Sequence, residues 1–235
     1  MTSILCVICA RGGSKGLPNK NIRLLHGTPL IGWSIKQALS TPGIDQVVVS
    51  TDSAEIASVS REFGAVVPFL RPSELAQSTT SKFNVFQHAY TESCKYFSRS
   101  FDMYLDLDCT SPLRTTNDIS SVISMLSSSE PHVDGVFTVS PARKNPYFNI
   151  MEPDQNGFMK VSKPLSGQVV CRQEAPPVYD HVASIYALKP TYLLNSPHLF
   201  HGNMLGYNIG ESKSLDIDSE FDFRIIEFLT KGRSI

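Results

Sequence analysis

The chain is 235 residues long, with 41% hydrophobic and 18% charged residues, so it can bury one substantial core without needing disulfides or a structural metal. Its formal net charge of -1 gives no overall attraction for nucleic acid or an anionic membrane, so a phosphate site must be built locally. No apolar stretch approaches the roughly 20 residues of a spanning helix, the first residues do not resemble a signal peptide, and the five cysteines are an odd number. These features predict a cytoplasmic protein that binds neither nucleic acid nor a membrane.

The first half of the chain alternates short apolar runs with longer segments of helical period, which is typical of a parallel sheet flanked by helices. The elements that we predict there are a strand over Ile4–Cys9, a helix from Pro29, a strand over Gln46–Ser50, a helix that Asp52 caps and Gly64 ends, and a return to the sheet over 65–70. Cys6 and Cys9 are three residues apart in the first strand and point to opposite faces, so we expect core positions rather than a CxxC site.

The second half continues this alternation around one interruption. The elements that we predict there are a helix over 83–96, a strand over Met103–Leu107, a helix from Thr116, strands over 135–139, 184–188 and 204–209, and a helix over Glu220–Leu229. From 141 to 177, prolines and polar residues with short β-like pieces over 147–152 and 158–161 predict a small β-rich arm. We therefore predict an α/β fold in a single domain over 1–235, with a doubly wound, mostly parallel sheet that binds ligands at the carboxyl ends of its strands.

The first motif with chemistry follows the first strand and reads ARGGSKGLPNKN over 10–21. Its glycines let the backbone approach a ligand closely, and three cations share the loop: Gly12, Gly13 and Gly16, with Arg11, Lys15 and Lys20. The spacing is that of neither a Walker A loop nor a G-x-G-x-x-G turn. The alternative is a flexible solvated turn, but the position after a buried strand favours a polyphosphate site.

The second motif reads SLDIDSEFD over 214–222. Asp216 and Asp218 are two residues apart in a segment that we expect to be extended, so both carboxylates project to one side and can share a hard cation such as Mg²⁺. The alternative is that Asp218 or Ser219 merely caps the last helix.

The third motif, YLDLDCTSPLR over 104–114, places Asp106 and Asp108 at a strand end that runs into a turn with Arg114. Carboxylates at the carboxyl end of a strand lie where substrate or metal is expected. The alternative is that one of them only accepts hydrogen bonds from loop amides.

Three of these segments, the opening ILCVICARGGSKGLPNKNI, the SPLR turn and the closing DIDSEFD, occur in order with VVVSTD and LRPSELA. Together they resemble the N-acylneuraminate cytidylyltransferases, also called CMP-sialic acid synthetases, over nearly the whole chain. Finer details, namely LDLD, PARKNPYFN and RQEAPPVYDHVASIY, are more similar to the bacterial branch that activates legionaminic-type sugar acids.

The resemblance implies a Rossmann-like nucleotidyltransferase that needs Mg²⁺ and converts CTP and a nine-carbon 2-keto sugar acid into the CMP-sugar and pyrophosphate. It also implies a homodimer in which the arm, about 143–180, reaches across to the partner. The residues that match the nucleotide site are Arg11, Gly12, Gly13, Ser14, Lys15, Lys20 and Asn21 in the loop and Arg71 on the cytidine side. Asp216 and Asp218 match the metal ligands, and with Arg11 and Lys15 they are the catalytic candidates.

Two departures from the sialic acid pattern concern the sugar acid. Where many of those enzymes have QPTSPLR and RPNG, this chain has Asp108 at the start of DCTSPLR and Asp180 at the start of DHVA. The substrate pocket is therefore expected to be less basic, which makes Arg172 with Gln173 the candidates to bind the substrate carboxylate, near Tyr179. The alternative for Arg172 is an ion pair with a surface acid.

Three other functions remain open from the sequence. The first is a cytidylyltransferase for another sugar acid, such as 3-deoxy-octulosonate. The second is a metal-dependent glycosyltransferase, since those enzymes also place D-x-D at a strand end, but the number of cations in the first loop suits a free triphosphate better. The third is a catalytically silent nucleotide-binding module, against which the intact acidic pair argues.

Overall fold

The structure is a computed structural model, and it describes residues 2–14, 16–167 and 171–232. The strands are β1 (Ile4–Cys9), β2 (Leu24–Leu25), β3 (Thr28–Pro29), β4 (Gln46–Ser50), β5 (Met103–Leu107), β6 (Gly135–Pro141), β7 (Met151–Pro153), β8 (Met159–Val161), β9 (Tyr179–Leu188) and β10 (Met204–Asn208). The α-helices are α1 (Leu30–Leu39), α2 (Ala54–Glu62), α3 (Lys82–Phe97), α4 (Thr116–Ser127), α5 (Pro190–Asn195) and α6 (Glu220–Leu229).

Six strands form the central sheet in the order β10-β6-β9-β5-β1-β4. All neighbours are parallel except β9, which runs antiparallel to both β5 and β6. The predicted α/β class with a mostly parallel sheet is confirmed. Because β1, β4 and β5 point the same way, the loops that follow them leave the sheet at one edge, and the start of β9 lies at that edge as well.

Helices cover both faces of the sheet, which explains why β1 is apolar at nearly every position. Ile4, Cys6 and Ile8 pack into the core cluster on one face, while Leu5 and Val7 pack into the cluster on the other. The alternation confirms that Cys6 and Cys9 point to opposite faces. Cys6 is fully buried, whereas Cys9 is partly buried and lines a cleft.

The prediction that Asp52 caps α2 is wrong. Ser53 is the cap residue, and its side chain accepts a hydrogen bond from Ile56 N. The carboxylate of Asp52 instead accepts a hydrogen bond from Gly12 N at 2.9 Å, in the loop after β1. A serine that follows an aspartate can take over the cap because both side chains accept hydrogen bonds from nearby amides.

Two predicted β regions are shorter in the structure. The stretch 65–70 meets the sheet only through isolated parallel bridges at Val66 and Leu70. In the arm, β7 pairs with β8 as an antiparallel hairpin, but 147–149 form a turn. The turn arises because Asn145 is buried and accepts hydrogen bonds from the amides of Tyr147, Phe148 and others that follow it. In the described part of the chain, no helix is long and apolar enough to cross a membrane.

Candidate active site

A cleft of about 520 Å³ opens at the edge of the sheet where β1, β4 and β5 end. Nine residues that the sequence nominated line it: Arg11, Ser14, Gly16, Lys20, Asn21, Arg71, Asp108, Asp216 and Asp218. They come from four separate parts of the chain, so the fold brings the three motifs to one place. Gly12 and Gly13 belong to the same loop without lining the described cleft, and Lys15 lies outside the described residues.

The loop after β1 is held in place largely by hydrogen bonds to its own backbone. Asn21 Nδ2 donates to Arg11 O at 3.0 Å, and Gly12 N donates to Asp52 as described above. At Gly16 the loop passes so close to the acidic segment that an added Cβ would lie 2.5 Å from Asp218 O. Only glycine fits this contact, because real Cβ atoms do not approach a backbone oxygen so closely.

The acidic segment is anchored through its middle residue. Ile217 N donates to Thr110 O at 2.9 Å, and the Ile217 side chain is fully buried in a core cluster. Asp216 and Asp218, on either side of it, are exposed toward the cleft, as their extended spacing predicts. Lys20 Nζ binds this segment from the loop, at 2.6 Å from Ile217 O and 3.0 Å from Asp218 Oδ1.

The carboxylates of Asp216 and Asp218 do not cap the last helix. Ser219 is the cap residue of α6, and Asp222 completes a capping box by accepting from Ser219 N. Its carboxylate also accepts from Asp218 N at 3.2 Å. Neither carboxylate of the acidic pair is used by the cap, so both face the cleft, where Asp218 also pairs with Lys20.

The acidic pair suits a cation that is shared with a ligand. Partial loss of solvent inside the cleft raises the pKa of Asp216, and the negative charges of Asp218 and Asp108 raise it further, so an added cation there would relieve repulsion. Across the described residues no cluster of three or more His, Cys, Asp or Glu side chains is placed to hold a metal. Mg²⁺ needs only one or two carboxylates when phosphate oxygens and water complete its shell, so this donor set fits Mg²⁺ with a phosphate ligand.

Arg71 forms the wall of the cleft on the β4 side. The residue is buried, and its guanidinium donates to Ser50 Oγ at 3.1 Å and also to Ser50 O, at the end of β4. Its own backbone N–H donates to Thr51 O at 2.7 Å. Arg71 is thus a fixed, positively charged part of the wall rather than a mobile surface side chain.

Asp108 is partly engaged by its own turn. Its Oδ1 atom accepts hydrogen bonds from Thr110 N at 3.0 Å and from Thr110 Oγ1 at 2.8 Å, as the loop-amide alternative predicts. Its Oδ2 atom lies 2.7 Å from Lys82 Nζ. Burial alone would raise the pKa of Asp108, but the charge and hydrogen bond of Lys82 and the bonds from Thr110 lower it to about 2.

Arg114, the arginine of the SPLR turn, is almost fully buried and points away from the cleft. Its guanidinium donates to Asp108 O at 2.6 Å and to Ser111 O at 2.9 Å, and it also binds Ser34 Oγ of α1. Gln37 of α1 donates to Arg114 O at 2.9 Å. Arg114 therefore fixes the shape of the turn from behind.

The sequence did not nominate Lys82, which lines the same cleft at the first position of α3. Its Nζ atom lies 3.2 Å from Asp106 Oδ1, close enough for an ion pair although not aligned as a hydrogen bond. Asp106 is fully buried, and this burial raises its pKa. No motif surrounds Lys82, so the available signal was two acids without a nearby cation, Asp106 in a buried strand and Asp108 just after it.

The remaining substrate candidates lie elsewhere in the chain. Arg172, Gln173 and Tyr179 line a second cavity, of about 360 Å³, that shares no described lining residue with the first. Arg172 donates a hydrogen bond to Ala142 O, and Asp180 is exposed at the start of β9. Within one chain, the described structure does not bring these four residues to the cleft, and their role as substrate contacts stays a prediction.

Comparison with known proteins places these features in context. Residues 5–194 match the cytidylyltransferase family. The chain is 44% identical over 235 residues to the CMP-N,N'-diacetyllegionaminic acid synthase of Campylobacter jejuni subsp. jejuni, covering 100% of this chain and 98% of that protein. With the same coverage it is 42% identical to post-translational flagellin modification protein B of Campylobacter coli. A solved CMP-2-keto-3-deoxy-manno-octonic acid synthetase in complex with CTP shares its fold, with a TM-score of 0.73, 17% identity and coverage of 98% and 99%.

Proposed function

The chain belongs to the cytidylyltransferase family, and on that premise we propose that it transfers CMP from CTP to the anomeric hydroxyl of a nine-carbon 2-keto sugar acid, releasing pyrophosphate. The proposed acceptor is a legionaminic-type acid, because a relative that this chain matches over its full length is named for that product. CTP is made in the cytoplasm, so we also propose that the protein acts there.

One observation carries the proposal: the cations of the first loop and the acidic pair line the same cleft. Lys20 bridges the two, since its Nζ atom binds Ile217 O and Asp218 from the loop side. A triphosphate needs both features, because cations neutralise the leaving pyrophosphate while carboxylates hold the metal that accompanies it. We propose that Arg11 and Lys20 neutralise the leaving pyrophosphate, and we add Lys15 because of its place in the sequence motif.

We propose that Asp216 and Asp218 hold Mg²⁺, as their position in the cleft and their mutual repulsion support. When bound there, Mg²⁺ neutralises charge on phosphate oxygens and lowers the pKa of the attacking hydroxyl. The chain itself contributes orientation. Ile217 fixes the spacing of the two acids through its buried side chain and its bond to Thr110 O.

We further propose a homodimer in which the arm over 143–180 contacts the partner. Large apolar side chains on the arm support this, since Phe158 is 65% and Met159 is 61% exposed in the single chain. The substrate candidates on the arm, Arg172, Gln173 and Tyr179, would then lie next to the partner and could contact a substrate bound there. Sedimentation equilibrium of the protein and of its Phe158→Ser, Met159→Ser double variant checks this, and a wild-type monomer would refute it.

The experiment that tests the function is a screen for pyrophosphate release with four nucleoside triphosphates and a panel of sugar acids. We expect release only with CTP, and at least about tenfold higher kcat/KM for N,N'-diacetyllegionaminic acid than for N-acetylneuraminic acid, which corresponds to about 1.4 kcal/mol. Highest efficiency with 3-deoxy-octulosonate would reassign the acceptor. No release with any pair would refute a cytidylyltransferase and leave a glycosyltransferase or a silent nucleotide-binding module.

A further inference from the structure

One cation of the cleft has no part in the proposal so far. Lys82 Nζ lies 2.7 Å from Asp108 Oδ2 and 3.2 Å from Asp106 Oδ1. It also lies over two aromatic rings, 4.7 Å from the centroid of Tyr186 and 5.4 Å from that of Phe86. Because two acids and two aromatic rings surround it, the ammonium group of Lys82 has a fixed position rather than the range of positions of an exposed lysine.

The ammonium group keeps binding capacity toward the cleft. An ammonium carries three hydrogens, and Asp108 takes one, while the contact to Asp106 is not aligned as a hydrogen bond. The Lys82 side chain remains 35% exposed and lines the cleft. Burial alone would lower the pKa of Lys82, but the charges of Asp106 and Asp108 raise it well above its usual value, so the group stays charged.

The order of the strands separates Lys82 from the nucleotide candidates. Arg71 is fixed at the end of β4, the loop with the other cations follows β1, and Lys82 contacts Asp106 of β5 and Tyr186 of β9. Since the sheet runs β9-β5-β1-β4, the loop lies between Arg71 and Lys82. A nucleotide whose base lies toward Arg71 and whose phosphates lie at the loop leaves the β5 side for the acceptor.

The other described cations that line the cleft have other tasks or partners, and Arg11 is assigned to the leaving pyrophosphate in the proposed function. Arg71 is committed to Ser50, and Lys20 to the acidic segment. Arg172, the candidate from the sequence, lines a different cavity of the same chain and would reach a cleft only across the proposed dimer, which makes it the rival of Lys82 for this role. We propose that Lys82 binds the carboxylate of the acceptor sugar acid, an assignment that rests on the proposed function and refines it.

The test is a kinetic comparison of Lys82→Met with the wild type and with Lys95→Met, which removes an exposed lysine of the same helix. Loss of a charge-assisted hydrogen bond predicts a KM for the sugar acid at least about tenfold higher in Lys82→Met, with the KM for CTP changed less than about twofold. Lys95→Met should leave both constants unchanged. An unchanged KM for the acid in Lys82→Met overturns the assignment.

A second variant separates substrate binding from a structural role. Lys82→Met leaves the buried Asp106 without its cation, so it is expected to lower the melting temperature, and Lys82→Met with Asp106→Asn removes both charges. If Lys82 binds substrate, the double variant recovers stability but not the KM for the acid. Recovery of both would mean that Lys82 only supports Asp106, and would overturn the proposal.

The carboxylate itself is tested with the C1 carboxamide of N,N'-diacetyllegionaminic acid as a competitive inhibitor. The wild type should bind the acid better than the carboxamide, whereas Lys82→Met should bind the two about equally. If the variant keeps the full preference for the acid, Lys82 does not contact the carboxylate. A wild type that uses no sugar acid with CTP refutes the proposed function and this assignment with it, while an active wild type with unchanged discrimination in Lys82→Met refutes this assignment alone.

Discussion

Gly16→Ala tests whether the close contact between the first loop and the acidic segment positions the reacting groups. The new Cβ would lie 2.5 Å from Asp218 O, whereas ordinary contact begins near 3.4 Å, so the two backbones must separate by about 0.9 Å. Lys20 Nζ now binds Ile217 O at 2.6 Å and Asp218 Oδ1 at 3.0 Å, and a shift of that size breaks at least one of these bonds.

Overpacking of this kind costs about 1 to 3 kcal/mol of stability, and displacing a reacting group by about 1 Å costs on the order of a hundredfold in rate. We therefore expect Gly16→Ala to lower kcat/KM for CTP about a hundredfold with a modest loss of melting temperature. Thermal denaturation and pyrophosphate release measure the two effects.

Gly13→Ala is the matched control in the same loop, because an added Cβ there meets no atom of the described residues within 4 Å apart from its own chain neighbours. Its melting temperature should equal that of the wild type, and any loss of activity would report on the ligand rather than on Asp218. If Gly16→Ala retains wild-type kcat/KM, the contact between the loop and Asp218 does not position the chemistry, and the reasoning fails.

Three further predictions concern charge. Asp216→Asn and Asp218→Asn should each nearly abolish turnover and raise the Mg²⁺ concentration needed for half-maximal rate. Asp216→Asn should not lower the melting temperature measured without metal, because it removes repulsion between the two carboxylates. Unchanged metal titrations in both variants would argue against the metal site. Lys15→Ala should fold normally and lose several kcal/mol of transition-state stabilisation in turnover assays. Near-normal turnover would mean that Lys15 has no role in catalysis. Lys213→Met should lower the melting temperature at pH 7, because Lys213 pairs with the buried Asp118 at 2.5 Å. Burial would raise the pKa of Asp118, but the bonds from Lys213 and Thr115 hold it below its usual value, so this stability is present above about pH 4 and lost progressively as the pH falls further. A gap between wild type and variant that does not narrow as the pH falls below about 4 would contradict this.

The elements that sequence patterns predicted best are those whose pattern depends on local chemistry. The last helix begins and ends at the predicted residues, because Ser219 with Asp222 forms a capping box in front of an amphipathic run. The loop after β1 and the acidic pair were also found from local composition. Their meeting in one cleft follows from parallel strands that end at the same edge.

The parts that sequence patterns missed depend on contacts between distant residues. Nothing near Asp52 shows that Gly12, 40 residues earlier, competes for its carboxylate. The strand predicted over 184–188 is ten residues long in the structure, since β9 lies between two neighbours and a bulge at Thr138 keeps it paired with β6. Lys82 gains its place only because α3 packs over β5 and β9, which no spacing along the chain reveals.

The buried guanidinium of Arg114 supports the SPLR turn through main-chain oxygens, and its hydrogen bond at position 108 does not depend on the side chain there. It donates to the main-chain carbonyls of residues 108 and 111 and also binds Ser34 of α1, so it supports the backbone of the turn in addition to the bonds between the Asp108 side chain and Thr110. A substitution at position 108 is therefore expected to change the charge of the cleft while the turn keeps its main-chain support from Arg114, although the bonds to Thr110 and the ion pair with Lys82 are lost.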